Sequence, residues 1–132
     1  MTSIFSKIIN REIPGHFIYE DEQCVVILDK YPAVPGQCLV ILRREVDYIF
    51  DLEAAEYDHL MQTVKRVAHG LDTAFDTDRT CVVVEGFEVP HVHIKLYPMK
   101  RDDENLGDVM TRVEEADDET LSELAEKIKA SI

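Results

Sequence analysis

Apolar positions in the first part of the chain come in short unbroken runs, whereas those in the middle recur at three- and four-residue steps. Ile4, Phe5, Ile8 and Ile9 have helical spacing, and that pattern breaks at Ile13-Pro14-Gly15. Phe17-Ile18-Tyr19-Glu20 and Cys24-Val25-Val26-Ile27-Leu28 read as two strands joined by the acidic turn Asp21-Glu22-Gln23. Two prolines in Pro32-Ala33-Val34-Pro35-Gly36 remove ladder donors and mark a loop. Cys38-Leu39-Val40-Ile41-Leu42 is a third strand.

The periodicity then predicts one long helix from about Glu53 to Phe75, with Asp51 as its cap. Tyr57, Leu60, Met61, Val64, Val67, Ala68, Leu71 and Phe75 form a single stripe for burial. His59 and His69 fall off or beside that stripe and are expected in solvent. Two more strands follow, Thr80 to Val84 and His91 to Tyr97, and a last amphipathic helix runs from about Thr120 to Ala130. This order predicts an α+β fold: an antiparallel five-stranded sheet with one long helix and a C-terminal helix. The expected organisation is a single domain over residues 1–132, with an acidic C-terminal segment from about residue 101.

Charge narrows the function classes. Lys and Arg number 14 against 27 Asp and Glu, a formal net charge of −13. Duplex DNA and anionic membranes attract clustered cations, so neither nucleic acid nor membrane is an expected partner. A phosphate site must therefore be a local exception, built from backbone N–H groups, His and a few cations. No stretch is long and apolar enough to span a bilayer, and the start of the chain lacks the pattern of a secretory signal. Cys24, Cys38 and Cys81 are odd in number and sit in apolar runs, which predicts buried reduced thiols in a cytoplasmic protein.

The chemistry-bearing stretch is Gly86-Phe87-Glu88-Val89-Pro90-His91-Val92-His93-Ile94-Lys95-Leu96-Tyr97-Pro98. Side chains alternate along a strand, so His91, His93, Lys95 and Tyr97 are expected on one face at spacings of roughly 6–7 Å. Two imidazoles and an ammonium in a row suit a polyanion. A neutral His also keeps a lone pair able to attack phosphorus, with donors such as Lys95 and the Gly86 turn stabilising the phosphoryl charge. Three readings of this face stand side by side: a polar strand face without a site, a His-x-His metal site, and phosphoryl chemistry. The metal reading needs further ligands, which no nearby pattern supplies.

These residues bring the chain to a known family. It resembles the histidine triad (HIT) hydrolases and nucleotidyl transferases along most of its length. The matching landmarks, in order, are Ile4-Phe5-Ser6-Lys7-Ile8-Ile9, Glu12-Ile13-Pro14, Tyr19-Glu20-Asp21, Leu28-Asp29-Lys30-Tyr31-Pro32, Pro35-Gly36, Leu39-Val40-Ile41 and Val89-Pro90-His91-Val92-His93-Ile94-Lys95-Leu96. The resemblance implies a homodimer whose sheets join across a two-fold axis, and a purine nucleotide site in each subunit. It implies that His93 attacks the α-phosphorus to give a nucleotidyl-histidine, with His91 ordering its surroundings. It further implies that Asp29 accepts a ribose hydroxyl and that Phe5, Ile8, Ile27 and Leu28 surround the base. Gly86, Glu88 and Val89 complete the implied nucleotide-contact set. A purely core role for the four apolar residues, and a turn-capping role for Asp29, remain open alternatives.

The chain also departs from the family pattern. Lys95 stands in the third triad place, where it supplies charge but not a tunable acceptor at neutral pH. Phe87 and Glu88 stand where relatives often carry Gln and then Ser or Thr; alternation sets Phe87 and Val89 in phase with His91, and Glu88 out of phase. Ser3, Ser6 and Val46 occupy the places of structural zinc ligands, so neither metal nor cofactor is expected. The leading expectation is a hydrolase or nucleotidyl transferase acting on a purine nucleoside phosphoramidate or dinucleoside polyphosphate. Its rivals are a nucleotide-binding module without turnover, and an interaction protein whose acidic segment Asp102 to Glu126 docks a basic partner.

Overall fold

A computed structural model describes residues 2–102 and 105–132; Asp103 and Glu104 of the acidic segment lie outside the described residues. The elements in chain order are α1 (Ile4–Ile9), β1 (Phe17–Glu20), β2 (Cys24–Leu28), β3 (Cys38–Leu42), α2 (Ala54–Phe75), β4 (Arg79–Val83), β5 (His93–Met99), α3 (Leu106–Val109) and α4 (Asp118–Lys129). The strands form one antiparallel sheet in the order β1-β2-β3-β5-β4. The α+β class expected from the pattern is the observed one.

Every residue of β2 and β3 is buried, because both faces of the sheet are covered there. On one face Cys24, Val26, Val40, Leu42, Ile94 and Leu96 meet Leu60, Val64, Val67 and Leu71 of α2 and Leu121, Ala125 and Ile128 of α4. On the other, Val25, Ile27, Leu39 and Ile41 meet Phe5 and Ile8 of α1. Each such aliphatic side chain contributes roughly 1.5–3 kcal/mol of burial. Gly36 closes the proline loop at φ +88°, and a Cβ there would overlap the Phe75 ring, so both backbone and packing require glycine.

Several boundaries differ from expectation. Glu53, not Asp51, is the N-cap of α2, and Asp51 sits in a single 3-10 turn over Ile49–Asp51. Strand β4 starts and ends one residue early, at Arg79 and Val83. Strand β5 begins at His93, two residues late, because the chain before it bonds elsewhere: Val92 N–H donates to the Val46 carbonyl and Leu42 N–H to the Val92 carbonyl. It continues through Pro98, which lies opposite Thr80 of the edge strand β4. His59 is not a solvent residue. It is half-buried, and its Nε2 lies 2.8 Å from an Asp21 carboxylate oxygen. The short helix α3 was not foreseen. No helix among the described residues is long and apolar enough to cross a membrane.

Candidate active site

Register places His93 and Lys95. Ile41 of β3 lies opposite His93 and Leu39 opposite Lys95, so these four side chains share the sheet face away from α2. A cleft of about 420 Å³ opens above that face, within the ordinary size range of small-molecule sites. Its walls are the Asp29–Tyr31 turn, the Gly86–Val89 loop, Phe5 of α1, and Met110 with Val113 from the C-terminal segment.

His93 is 7% exposed, and its Nδ1 lies 2.7 Å from the backbone carbonyl of His91. A carbonyl only accepts, so Nδ1 carries the proton and Nε2 keeps its lone pair. Burial pushes the His93 pKa below the ordinary imidazole value. The Lys95 charge and the neighbouring His91 push the same way, against the bond to the His91 carbonyl and the Asp29 charge. Phe5 packs edge-on against the ring at a centroid distance of 4.7 Å. The ring is thus oriented, biased toward its neutral form, and supplied in that form with a free acceptor.

His91 does not stand beside His93 on the strand face as the alternation predicts. It precedes the strand and is completely buried, with Nε2 2.5 Å from the Leu42 carbonyl and Nδ1 2.6 Å from Ser3 Oγ. Both of its nitrogens are engaged within the protein. Lys95 is half-buried at the cleft wall, and no hydrogen bond or ion pair engages its ammonium among the described residues.

The cleft brings together Phe5, Asp29, Gly86, Glu88, Val89, His93 and Lys95. It does not include Ile8 or Ile27, which lie in the buried apolar cluster with Phe5. Leu28 is on the opposite sheet face, in the cluster packed against α2 and α4. Neighbouring strand residues point to opposite faces, so Ile27 and Leu28 cannot both face one ligand. The phase expected for the Gly86 loop also fails: Phe87 is 91% exposed while Glu88 lines the cleft. Gly86 has φ +88°, and the turn it makes cancels strand alternation.

Asp29 does two jobs. Its Oδ1 accepts from Tyr31 N–H at 2.8 Å, the turn-capping geometry, and its Oδ2 accepts from Gln37 Nε2 at 2.9 Å. Each carboxylate oxygen retains a further lone pair on a group lining the cleft. The cleft also includes Tyr31, Gln37, Leu39, Glu85, Met110 and Val113, which sequence reasoning did not single out. A polar Gln37 opening an apolar strand was the one legible signal among them. Tyr97, placed on this face by alternation, is 2% exposed, and burial raises its pKa, helped by Asp29 and Glu85.

The segment matched to structural zinc ligands carries a different chemistry. Val46 offers its carbonyl to Val92 N–H, while the neighbouring Glu45 accepts hydrogen bonds from Ser3 and Ser6. Elsewhere, the donor atoms of Asp21, Cys24 and His59 lie within 4.8 Å of one another. Burial pushes the Cys24 thiol up to about 11, and Asp21 already accepts from Gln23, Cys24 and His59.

Residues 10–102 match the HIT domain family. An uncharacterized HIT-like protein of Synechococcus elongatus is 36% identical over 99 residues, 71% of this chain and 87% of that protein. The crystal structure of a HIT-like protein involved in cell-cycle regulation from Bartonella henselae superposes with a TM-score of 0.87 at 26% identity, covering 99% of this chain and 96% of that one. A hypothetical histidine triad nucleotide-binding protein from Sulfolobus tokodaii superposes at 0.85 with 28% identity, covering 96% and 89%. The chain belongs to the HIT family.

Proposed function

We propose that this protein is a nucleotide hydrolase or nucleotidyl transferase that cleaves a purine nucleoside phosphoramidate or dinucleoside polyphosphate through a covalent nucleotidyl-His93. The observation that carries the reading is the free Nε2 of His93. It faces a nucleotide-sized cleft because Nδ1 is committed to the His91 carbonyl.

In the first step the Nε2 lone pair attacks the α-phosphorus, the P–Nε2 bond forms, and the P–N or P–O bond breaks with its electron pair passing to the leaving group, a leaving nitrogen taking up a proton from solvent to depart as the amine. Among the described residues Lys95 is the only Lys or Arg lining the cleft, a fixed charge beside the phosphoryl oxygens. In the second step water, or another acceptor hydroxyl, attacks the phosphorus. The P–Nε2 bond breaks, the nucleotide leaves, and the neutral ring returns. Asp29 accepts a ribose hydroxyl, and Phe5 and Val89 offer apolar surface to the base.

The reading includes a cytoplasmic homodimer. The support for the dimer is the unpaired edge of β4 with exposed Val82, and just beyond its end exposed Val84 beside exposed Tyr48 and Phe50.

The test mixes wild type and His93→Ala with an adenosine phosphoramidate, follows AMP release, and looks for AMP-modified His93 by mass spectrometry after acid-free quenching. Turnover and adduct in wild type alone support the proposal. Equal rates in both proteins remove His93 as nucleophile. Binding of AMP without turnover of any phosphoramidate or polyphosphate identifies a nucleotide-binding module instead.

A further inference from the structure

His91 is a polar side chain 0% exposed, and it does not line the cleft. Its Nε2 faces the Leu42 carbonyl, which only accepts, so Nε2 carries a proton. In the neutral ring Nδ1 is therefore the acceptor, and the Ser3 hydroxyl donates to it at 2.6 Å.

Ser3 is held in turn. Its backbone N–H donates to Glu45 Oε1 at 2.7 Å, and the Ser6 hydroxyl donates to the same oxygen at 2.8 Å. Ser3 Oγ accepts from Ser6 N–H at 3.0 Å, which makes Ser3 the N-cap of α1. The Glu45 carboxylate lies 3.9 Å from His91 Nδ1, and the bonds from Ser3 and Ser6 hold its pKa below the ordinary value. The next residue, Val46, grips the same loop through the bond from Val92 N–H at 2.7 Å.

We infer that Glu45, acting through Ser3, Ser6 and His91, is a positioning residue that sets the tautomer of His93. The His91 ring is pinned at both nitrogens, so the His91 carbonyl has one direction in which to accept from His93 Nδ1–H. Without the carboxylate, Ser3 loses the acceptor of its N–H and the α1 cap loosens. The His91 loop then gains freedom, and the His93 proton redistributes from Nδ1 to Nε2, where it blocks the attacking lone pair. Phe5 of α1 contacts both rings edge-on, at 5.9 Å from His91 and 4.7 Å from His93, so a displaced α1 disturbs both.

The kinetic arm of this inference rests on the proposed His93 chemistry; the spectroscopic arm does not. The experiment records imidazole nitrogen shifts of His93 by NMR, together with kcat, KM and Tm on an adenosine phosphoramidate, for wild type, Glu45→Ala and Glu45→Gln. Glu45→Ala is expected to raise the fraction of His93 protonated at Nε2 and to lower kcat about tenfold with KM nearly unchanged. Glu45→Gln, whose amide oxygen still accepts from Ser3 and Ser6, restores both readouts. Ser6→Ala removes one donor only, gives the same direction in smaller size, and serves if Glu45→Ala does not fold. A wild-type His93 tautomer in Glu45→Ala and Ser6→Ala overturns the inference. If wild type turns over no nucleotide, the proposed function fails, and the nitrogen shifts still decide the positioning role.

Discussion

Gln37 ties the proline loop to the cleft: its Nε2 donates to Asp29 Oδ2 at 2.9 Å while its Oε1 accepts from Ala33 N–H at 2.6 Å. The amide is 3% exposed, so neither bond has water as a ready substitute. Gln37→Ala is expected to destabilise the fold by about 1–3 kcal/mol through the groups left unpaired, read as a lowered Tm. Asp29→Asn should erase a preference for ribose over 2′-deoxyribose substrates that wild type shows in kcat/KM; equal use of both sugars by wild type would remove Asp29 from the ribose.

The pH profile follows from His93. Burial and the Lys95 charge lower its pKa from the ordinary 6.5, and attack needs the neutral ring. The value of kcat/KM should therefore rise with pH through a midpoint below 6.5, and Lys95→Met should move that midpoint upward. The same group affects stability. The unfolded chain takes up this proton at the ordinary value while the native ring stays neutral, so its contribution is intact above 6.5 and is lost as pH falls below it. Urea unfolding across that window measures the loss.

Lys95→Met also removes the only Lys or Arg side chain that lines the cleft among the described residues. Affinity for AMP should fall about tenfold, the equivalent of ~1.4 kcal/mol, with the apolar stem retained. Calorimetric titration checks this. An unchanged Kd would place the phosphate away from Lys95.

Asp21 anchors the β1–β2 turn. Burial pushes its pKa up, but bonds from the Cys24 and Gln23 N–H groups, His59 and Tyr19 outweigh it and hold the value at about 2. A depressed carboxylate stabilises the native state fully above its ordinary 3.8 and loses that contribution as pH falls from there toward 2. Asp21→Ala should lower Tm at neutral pH and lack this acid-dependent step in a series of denaturation curves.

The β4 edge gives a further test. A charge at an exposed valine of an edge strand opposes pairing with a second copy. Val82→Asp in β4 with Val84→Asp just beyond its end should convert the proposed dimer to a monomer by light scattering, with the far-ultraviolet spectrum kept. A monomeric wild type would sink the dimer.

Much of this molecule follows from local rules. The bounds of β1, β2 and β3 match their apolar runs, and the stripe from Leu60 to Leu71 became the buried face of α2. His93, Lys95 and Asp29 reached one cleft because two lie in phase on a strand and the third ends a strand facing a turn. The failures at His91, Phe87 and Glu88 share a cause. All three lie where the backbone leaves the strand, so a period of two no longer says where a side chain points.

Periodicity and residue chemistry, read in one dimension, were enough for the α+β class, the long helix and the strand bearing His93 and Lys95. They act over a few residues, which is the range that sequence displays. Only the folded chain decided that Met110 and Val113 wall the cleft, that His59 meets Asp21, and that Ser3 and Glu45 close on a buried His91. Those contacts join residues distant along the chain, and their geometry is set by how α1, α2 and the C-terminal segment pack on the sheet.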